Sequence, residues 1–177
     1  IEKIEQDIED GKNISAVEGV KNNSYTIYNE KIYYRRDSIM TLVDKKETVL
    51  DRIRGMIQVR NALRTVIELQ CQDIKNEEIE PYREKLNIEY DQFLKKYGSI
   101  NSSSNKNAFY DDSEYSLISA LENINEETKE TSKRDIFYKR TIEPQKEIES
   151  VDTAEEALIV SLTQRAVVDL EYMSKLS

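Results

Sequence analysis

Hydrophobic positions recur at steps of three and four through two long stretches of the chain, and the other elements arrange around them. In residues 51–70, Ile53, Met56, Ile57, Leu63, Val66 and Ile67 fall on one helical face. In the next stretch Ile79, Tyr82, Leu86, Tyr90, Phe93 and Tyr97 do the same. Two such stripes joined by a short polar segment predict an antiparallel helical hairpin in which each stripe covers the other. Asp73 and Asn76 suit the turn, Glu77, Glu78 and Glu80 the positive end of the second helix, and Lys95 and Lys96 its negative end. Gly98 is placed to be the left-handed cap. Pro81 is tolerable in a first turn and would kink a helix begun before Asn76.

Ahead of the hairpin the period shortens to two. Residues 24–28 and 31–35 read as strands around Asn29-Glu30, a two-residue turn. That turn sets Ile27 opposite Ile32 and Tyr25 opposite Tyr34 on one side, with Thr26 and Tyr33 on the other. The side with both isoleucines is expected to face the helices. Asp37-Ser38 reads as a helix start, with Ile39 and Met40 in a short helical turn, and Asp44 or Thr48 caps the first long helix.

Beyond Gly98, residues 99–108 form a polar loop pinned by Phe109 and Tyr110. Asp111, Asp112 and Ser113 start a helix through Asn123, with Tyr115, Leu117, Ile118 and Leu121 as its apolar face. Residues 125–133 hold no apolar side chain and read as a mobile surface loop. Residues 135–141 are strand-like and would add a third strand beside the hairpin, since two strands alone are rarely stable. Thr153 and Glu156 form a capping box for a helix to about Arg165, with Ala157, Leu158 and Leu162 inward. A second short helix follows, capped by Asp169. The fold class predicted is α+β, mostly helical: a long antiparallel helical hairpin, a small β-hairpin or three-stranded sheet, and a C-terminal helix pair. Residues 1–22, with Ile1, Ile4 and Ile8 at helical spacing, read as an acidic N-terminal arm or linker, and 23–177 as one helical domain.

Composition narrows the chemistry. The 177 residues include no histidine and one cysteine, Cys71, which excludes an internal disulfide and removes the commonest general base and metal ligand. Cys71, near the end of the first long helix, is expected to be semi-buried packing. Only four glycines occur, and neither a phosphate-binding loop nor a dinucleotide fingerprint is among the motifs present. Acidic pairs such as Asp111-Asp112 and Glu155-Glu156 are explained by helix capping. No catalytic, cofactor-binding or metal-binding residue is assigned. No tract is long and apolar enough to span a membrane, so a soluble, cytoplasmic protein is expected. The start at Ile1 and the end at Ser177 inside a helical pattern lead us to expect a piece of a longer protein.

The formal net charge of −9 opposes wrapping on a nucleic-acid backbone. Yet residues 31–66 hold nine Lys or Arg against four Asp or Glu, a local balance of +5. Two uses are open to these cations. They can pair with carboxylates of facing elements, which would account for Arg60 and Arg64 beside the buried stripe. Alternatively Arg35, Arg36, Lys45, Lys46 and Arg52 can gather on one exposed patch that meets DNA phosphates without reading bases. The last two helices look like a helix-turn-helix, but Asp169 and Glu171 stand where a base-reading helix carries donors.

Several strings resemble a known family: Ser24-Tyr-Thr with Ile32-Tyr-Tyr-Arg35, Arg52-Ile-Arg-Gly-Met-Ile57, Lys85-Leu-Asn-Ile-Glu-Tyr-Asp91 with Lys96-Tyr-Gly98, Asp135-Ile-Phe-Tyr-Lys-Arg-Thr-Ile142, and Val151-Asp-Thr-Ala-Glu-Glu-Ala-Leu158 with Val168-Asp-Leu-Glu-Tyr-Met173. In this order they are similar to the inter-domain region of very large bacterial proteins of mobile elements and phages. Those proteins join an adenine-specific DNA methylase-like domain to an SNF2-type helicase. The resemblance implies a connecting or scaffold domain whose partners are the neighbouring domains of the same polypeptide, with DNA as a weak further partner. It implies no cofactor here, ATP and S-adenosylmethionine belonging to the parent's catalytic modules. None of the catalytic motifs of those modules occurs in this chain, so no catalytic residue carries over.

Overall fold

A computed structural model describes residues 12–125, 127–128, 130–144 and 150–176. The chain divides into two compact units, Ile1–Glu143 and Pro144–Ser177. The fold is α+β and mostly helical. The helical spacing read at Ile1, Ile4 and Ile8 lies outside the described residues.

The first unit opens with a four-stranded antiparallel sheet, β1 (Asn13–Ser15), β2 (Ser24–Tyr28), β3 (Lys31–Arg36) and β4 (Ile39–Leu42), ordered β1-β4-β3-β2. The β2–β3 register is the expected one: Tyr25 opposes Tyr34 and Ile27 opposes Ile32. Asn29 and Glu30 both take positive φ, 47° and 65°, as a tight hairpin turn demands. Of the isoleucine side, Tyr25 and Ile32 reach the helical core while Ile27, nearer the turn, stays exposed. Asp37-Ser38 does not start a helix. Asp37 has φ 55° and turns the chain into β4, so Ile39 and Met40 are strand residues, and β4 is the third strand beside the hairpin.

Helix α1 (Glu47–Gln70) and helix α2 (Asn76–Tyr97) form the antiparallel hairpin. Neither Asp44 nor Thr48 caps α1, whose N-cap is Lys46. Ile53, Met56, Ile57, Leu63 and Val66 are buried, as the periodicity predicted. In α2 the buried row is Ile79, Arg83, Leu86, Tyr90 and Phe93, at steps of four, three, four and three, so Arg83 takes the seam and Tyr82 turns outward. Gly55 lets the helices close: a Cβ there would stand 2.8 Å from the Phe93 ring. Pro81 lies inside α2, beyond its first turn. Gly98 takes φ 77° and donates its N–H to the Leu94 carbonyl. Cys71 caps α1 and is exposed rather than packed.

Residues after Gly98 differ most from expectation. The polar loop contains helix α3 (Ser103–Phe109), with Ser102 accepting from the Asn105 N–H. Helix α4 (Tyr115–Ser119) stops short, and the chain enters a hairpin of β5 (Glu122–Ile124) and β6 (Thr131–Lys133). β6 lies in the stretch expected to be a surface loop. It has no apolar residue, but the Lys133 ammonium lies over the Tyr90 and Phe137 rings, 5.4 and 5.1 Å from their centroids, and pairs with Asp91 at 2.6 Å. Residues 135–141 are not a strand. Asp135–Phe137 is a 3-10 turn that buries Phe137 against Tyr90, ring centroids 4.9 Å apart. Arg140 then donates to the carbonyls of Gln70, Gln72 and Ile74, supplying the cationic cap that the last turn of α1 lacks.

Two buried polar centres tie these elements together. The Glu122 carboxylate accepts from Tyr90 Oη (3.1 Å), Ser99 Oγ (2.6 Å), the Ile100 and Asn101 N–H groups (2.8 and 3.1 Å) and Asn101 Nδ2 (2.7 Å). At the other centre, Arg60 in the middle of α1 donates to Asp112 at 2.6 Å, and Asp112 also accepts the N–H groups of Tyr25 and Glu114. Arg64 and Lys21 close on Glu114. Burial pulls the Arg60 guanidinium down from its ordinary value and pushes the Asp112 carboxyl up, each opposed by the other's charge.

In the second unit, α5 (Ala154–Arg165) and α6 (Leu170–Leu176) pack on Ala157, Val160 and Leu176. The capping box is present: Thr153 Oγ1 accepts from the Glu156 N–H and Glu156 accepts from the Thr153 N–H, both at 3.2 Å. Ala166 takes φ 56° and ends α5. Ser161 bridges the turn, donating to the Val167 carbonyl and accepting from the Asp169 N–H. Leu162, expected inward, is exposed, because the inward row runs through 157, 160 and 161.

Asp112→Ala leaves Arg60 buried without its carboxylate and is expected to cost about 3–5 kcal/mol in denaturant unfolding, with Arg60→Met in that background recovering much of the loss. Burial raises Glu114, but the Arg64 and Lys21 hydrogen bonds outweigh it and hold the carboxyl below its ordinary range. A depressed folded pKa stabilises above the unfolded value and loses that contribution as pH falls through the folded one. The stability gap between the natural protein and Glu114→Gln, measured by urea titration, is therefore expected to be constant near neutrality and to shrink below the ordinary glutamate range.

Candidate nucleic-acid interface

Five cations were candidates for a phosphate-contacting patch: Arg35, Arg36, Lys45, Lys46 and Arg52. Strand alternation separates the first two, since successive side chains on β3 point to opposite faces. Arg35 shares its face with Tyr33 and Met40, and its guanidinium donates to the carbonyls of Val20 and Asp37 (2.8 Å to the latter). Its donors hold the 16–20 segment and the β3–β4 turn. Arg52 is likewise structural: it donates to Asn105 Oδ1 at 2.7 Å and lies over the Tyr97 ring, 5.2 Å from the centroid.

Arg36 and Lys45 come together. Both are exposed and both line a cleft of about 400 Å³ with Tyr25, Tyr34, Thr41, Leu42, Val43 and Asp111. The cleft is built by β3, by the end of β4 and by the link into α1, so Arg36 and Lys45 approach from different elements. Arg36 stands 6.0 Å from the Tyr34 ring centroid and Lys45 5.7 Å from that of Tyr25. Tyr25 and Tyr34 meet edge to face at 5.0 Å, and Tyr34 donates to the Asp111 carbonyl. Burial, then the Asp111 charge, raises both phenols, and Tyr25 Oη accepts from Lys45 Nζ at 3.5 Å. Lys46 is exposed at the N-terminus of α1, where the helix dipole is positive.

Three further cations of the 31–66 segment take the pairing alternative: Arg54 with Asp51 (2.6 Å), Arg60 with Asp112 and Arg64 with Glu114. Lys31, Arg36, Lys45 and Lys46 are exposed, and no ion pair is found for them among the described residues. A larger cleft of about 590 Å³ sets Lys12, Lys31 and Arg54 against Glu30, Asp44 and Glu47, and its charges balance. The aromatic lining of the smaller cleft was not anticipated, although the i, i+2 spacing of Tyr34 and Arg36 on a strand already puts them on one face. No group of three or more Cys, Asp or Glu among the described residues is placed to hold a metal ion. None of the helices there is long and apolar enough to cross a membrane.

A family model described as a probable helicase, winged helix domain matches residues 150–177, the span that carries α5 and α6. No curated protein and no solved structure matches the chain. The match associates the second unit with helicases and leaves the first unit outside it.

The two roles of neighbouring arginines separate by stability. Arg35→Ala is expected to cost about 1–3 kcal/mol through lost hydrogen bonds to two backbone carbonyls. Arg36→Glu and Lys45→Glu should stay within about 1 kcal/mol of the natural protein in the same denaturant titration.

Proposed function

We propose that the chain is a non-catalytic connecting module of a large DNA-processing protein of the helicase kind, holding neighbouring domains of the same polypeptide in register. The observation that carries this reading is the likeness of residues 150–177 to a helicase winged-helix domain. It is supported by the first unit, where each buried carboxylate is spent on structure. Asp112 and Glu114 are held by arginine and lysine, and Glu122 by amide and hydroxyl donors. With no histidine in the chain, an acid–base site would have to be built from other groups.

The sequence resemblance carries the finer part of the proposal. The parent is a bacterial, cytoplasmic protein of a mobile element or phage that combines an SNF2-type helicase with an adenine-specific DNA methylase-like domain. ATP and S-adenosylmethionine bind to those flanking modules.

A second reading is that the first unit also touches DNA. Exposed Arg36 and Lys45 in one cleft, with Lys46 nearby in the chain, favour it. Such contact would be weak and steeply salt dependent, because a net charge of −9 repels the backbone elsewhere.

Purified protein is expected to show neither ATP hydrolysis, with or without DNA, nor methyl transfer from S-adenosylmethionine. Turnover that follows the protein peak through repurification would overturn the connecting-module reading.

A further inference from the structure

We infer that the cleft between β3 and the entry to α1 is a binding site for a single nucleotide unit, stacking its base on the half-buried Tyr34 ring, which the buried Tyr25 backs, and holding its phosphate with Arg36 and Lys45. The inference rests on the second reading above and gives it a ligand. A plain phosphate-contacting surface needs cations only. This cleft combines cations with aromatic faces, the pairing by which unpaired bases and their backbone are gripped together.

The dimensions agree. A cleft of about 400 Å³ lies within the range that holds a small ligand and is too small for a duplex. Its two cations stand by different rings, Arg36 by Tyr34 and Lys45 by Tyr25, so a phosphate between them would leave a base beside Tyr34, the ring of the two that is not fully buried. Tyr34 is fixed before any ligand arrives, by its hydrogen bond to the Asp111 carbonyl and its edge contact with Tyr25. Tyr25 is fixed by its contact with Phe109, 5.3 Å away, and by its backbone bond to Asp112. An aromatic held in place loses little freedom on stacking. Asp111 contributes the one carboxylate of the lining, an acceptor suited to the amino group of a base and unfavourable to a second phosphate. The cleft therefore suits one nucleotide with a single phosphate, a monoester if free and a diester if within a single strand.

Fluorescence anisotropy with labelled oligothymidylate, oligodeoxyadenylate and a duplex of equal length at low salt tests the site. An unlabelled mononucleotide serves as competitor. The expected result is preference for single strands, lost about tenfold or more in Arg36→Glu, Lys45→Glu and Tyr34→Ala, and retained in Tyr34→Phe, which keeps the ring. Lys85→Glu, an exposed cation in another cleft, should change affinity less than about twofold. Displacement by the mononucleotide would identify a free nucleotide as a ligand, and its failure to compete would assign the site to a strand. Equal duplex binding that falls in the two charge reversals but not in Tyr34→Ala would overturn the nucleotide site and leave the backbone reading standing. Absence of binding at low salt to any of the three probes would overturn both. Arg36→Glu and Lys45→Glu remove no buried atom, so they keep the test decisive if Tyr34→Ala does not fold.

Discussion

A guanidinium in the middle of the longest helix governs the first unit. Arg60 sits in the apolar stripe of α1, where an unpaired charge would cost several kcal/mol. It is tolerated because Asp112 meets it at 2.6 Å from a loop fifty-two residues away. Asp112 is itself pinned by two backbone N–H groups, one from β2 and one from its own turn. One carboxylate thereby joins the long helix, the first hairpin and the segment between α3 and α4. Glu114, two residues on, repeats the device with Arg64 and Lys21. The order of loop residues 110–114 is thus set by charges on α1.

Glu122 plays the matching part beside α2. Five donors from α2, the 99–101 turn and Asn101 converge on it, enough to saturate the lone pairs of a buried carboxylate. Arg140 completes the arrangement by binding the carbonyls at the C-terminus of α1. The buried carboxylates of these centres each accept from several donors rather than from a single opposite charge, whereas Arg64 Nε and two nitrogens of the buried Arg83 are left without a hydrogen-bond partner among the described residues.

The same logic sorts the cations of residues 31–66. Arg54, Arg60 and Arg64 are committed to carboxylates, Arg35 and Arg52 to carbonyl oxygens. Arg36 and Lys45 are left at the surface over tyrosine rings, and a chain with excess acid keeps a small positive cleft where both approach from different elements. The second unit is tied to helicases by its winged-helix likeness and holds its helix pair with a smaller apolar cluster of its own.

Local signals in the sequence determined the helical hairpin, the β2–β3 register and the capping box at Thr153, since each depends on spacing within a few turns or strands. Arg60 was legible as a buried cation needing a partner, because its position between Ile57 and Leu63 placed it in the stripe. Which carboxylate would answer was decided only by the tertiary fold. The same holds for Arg83, which displaced Tyr82 from the α2 seam, and for Asp37-Ser38, whose helix-start chemistry served equally well as a strand turn. The β6 strand was illegible because it is anchored by the Lys133 ammonium over the Tyr90 and Phe137 rings rather than by any apolar residue. Of the five candidate phosphate contacts, composition could name the cations but not divide them. Pleating put Arg35 and Arg36 on opposite faces, and long-range contacts claimed Arg52 for the α2–α3 corner. Spacing along the chain records which face a residue shares, whereas partners tens of residues apart are chosen by packing that no local pattern encodes.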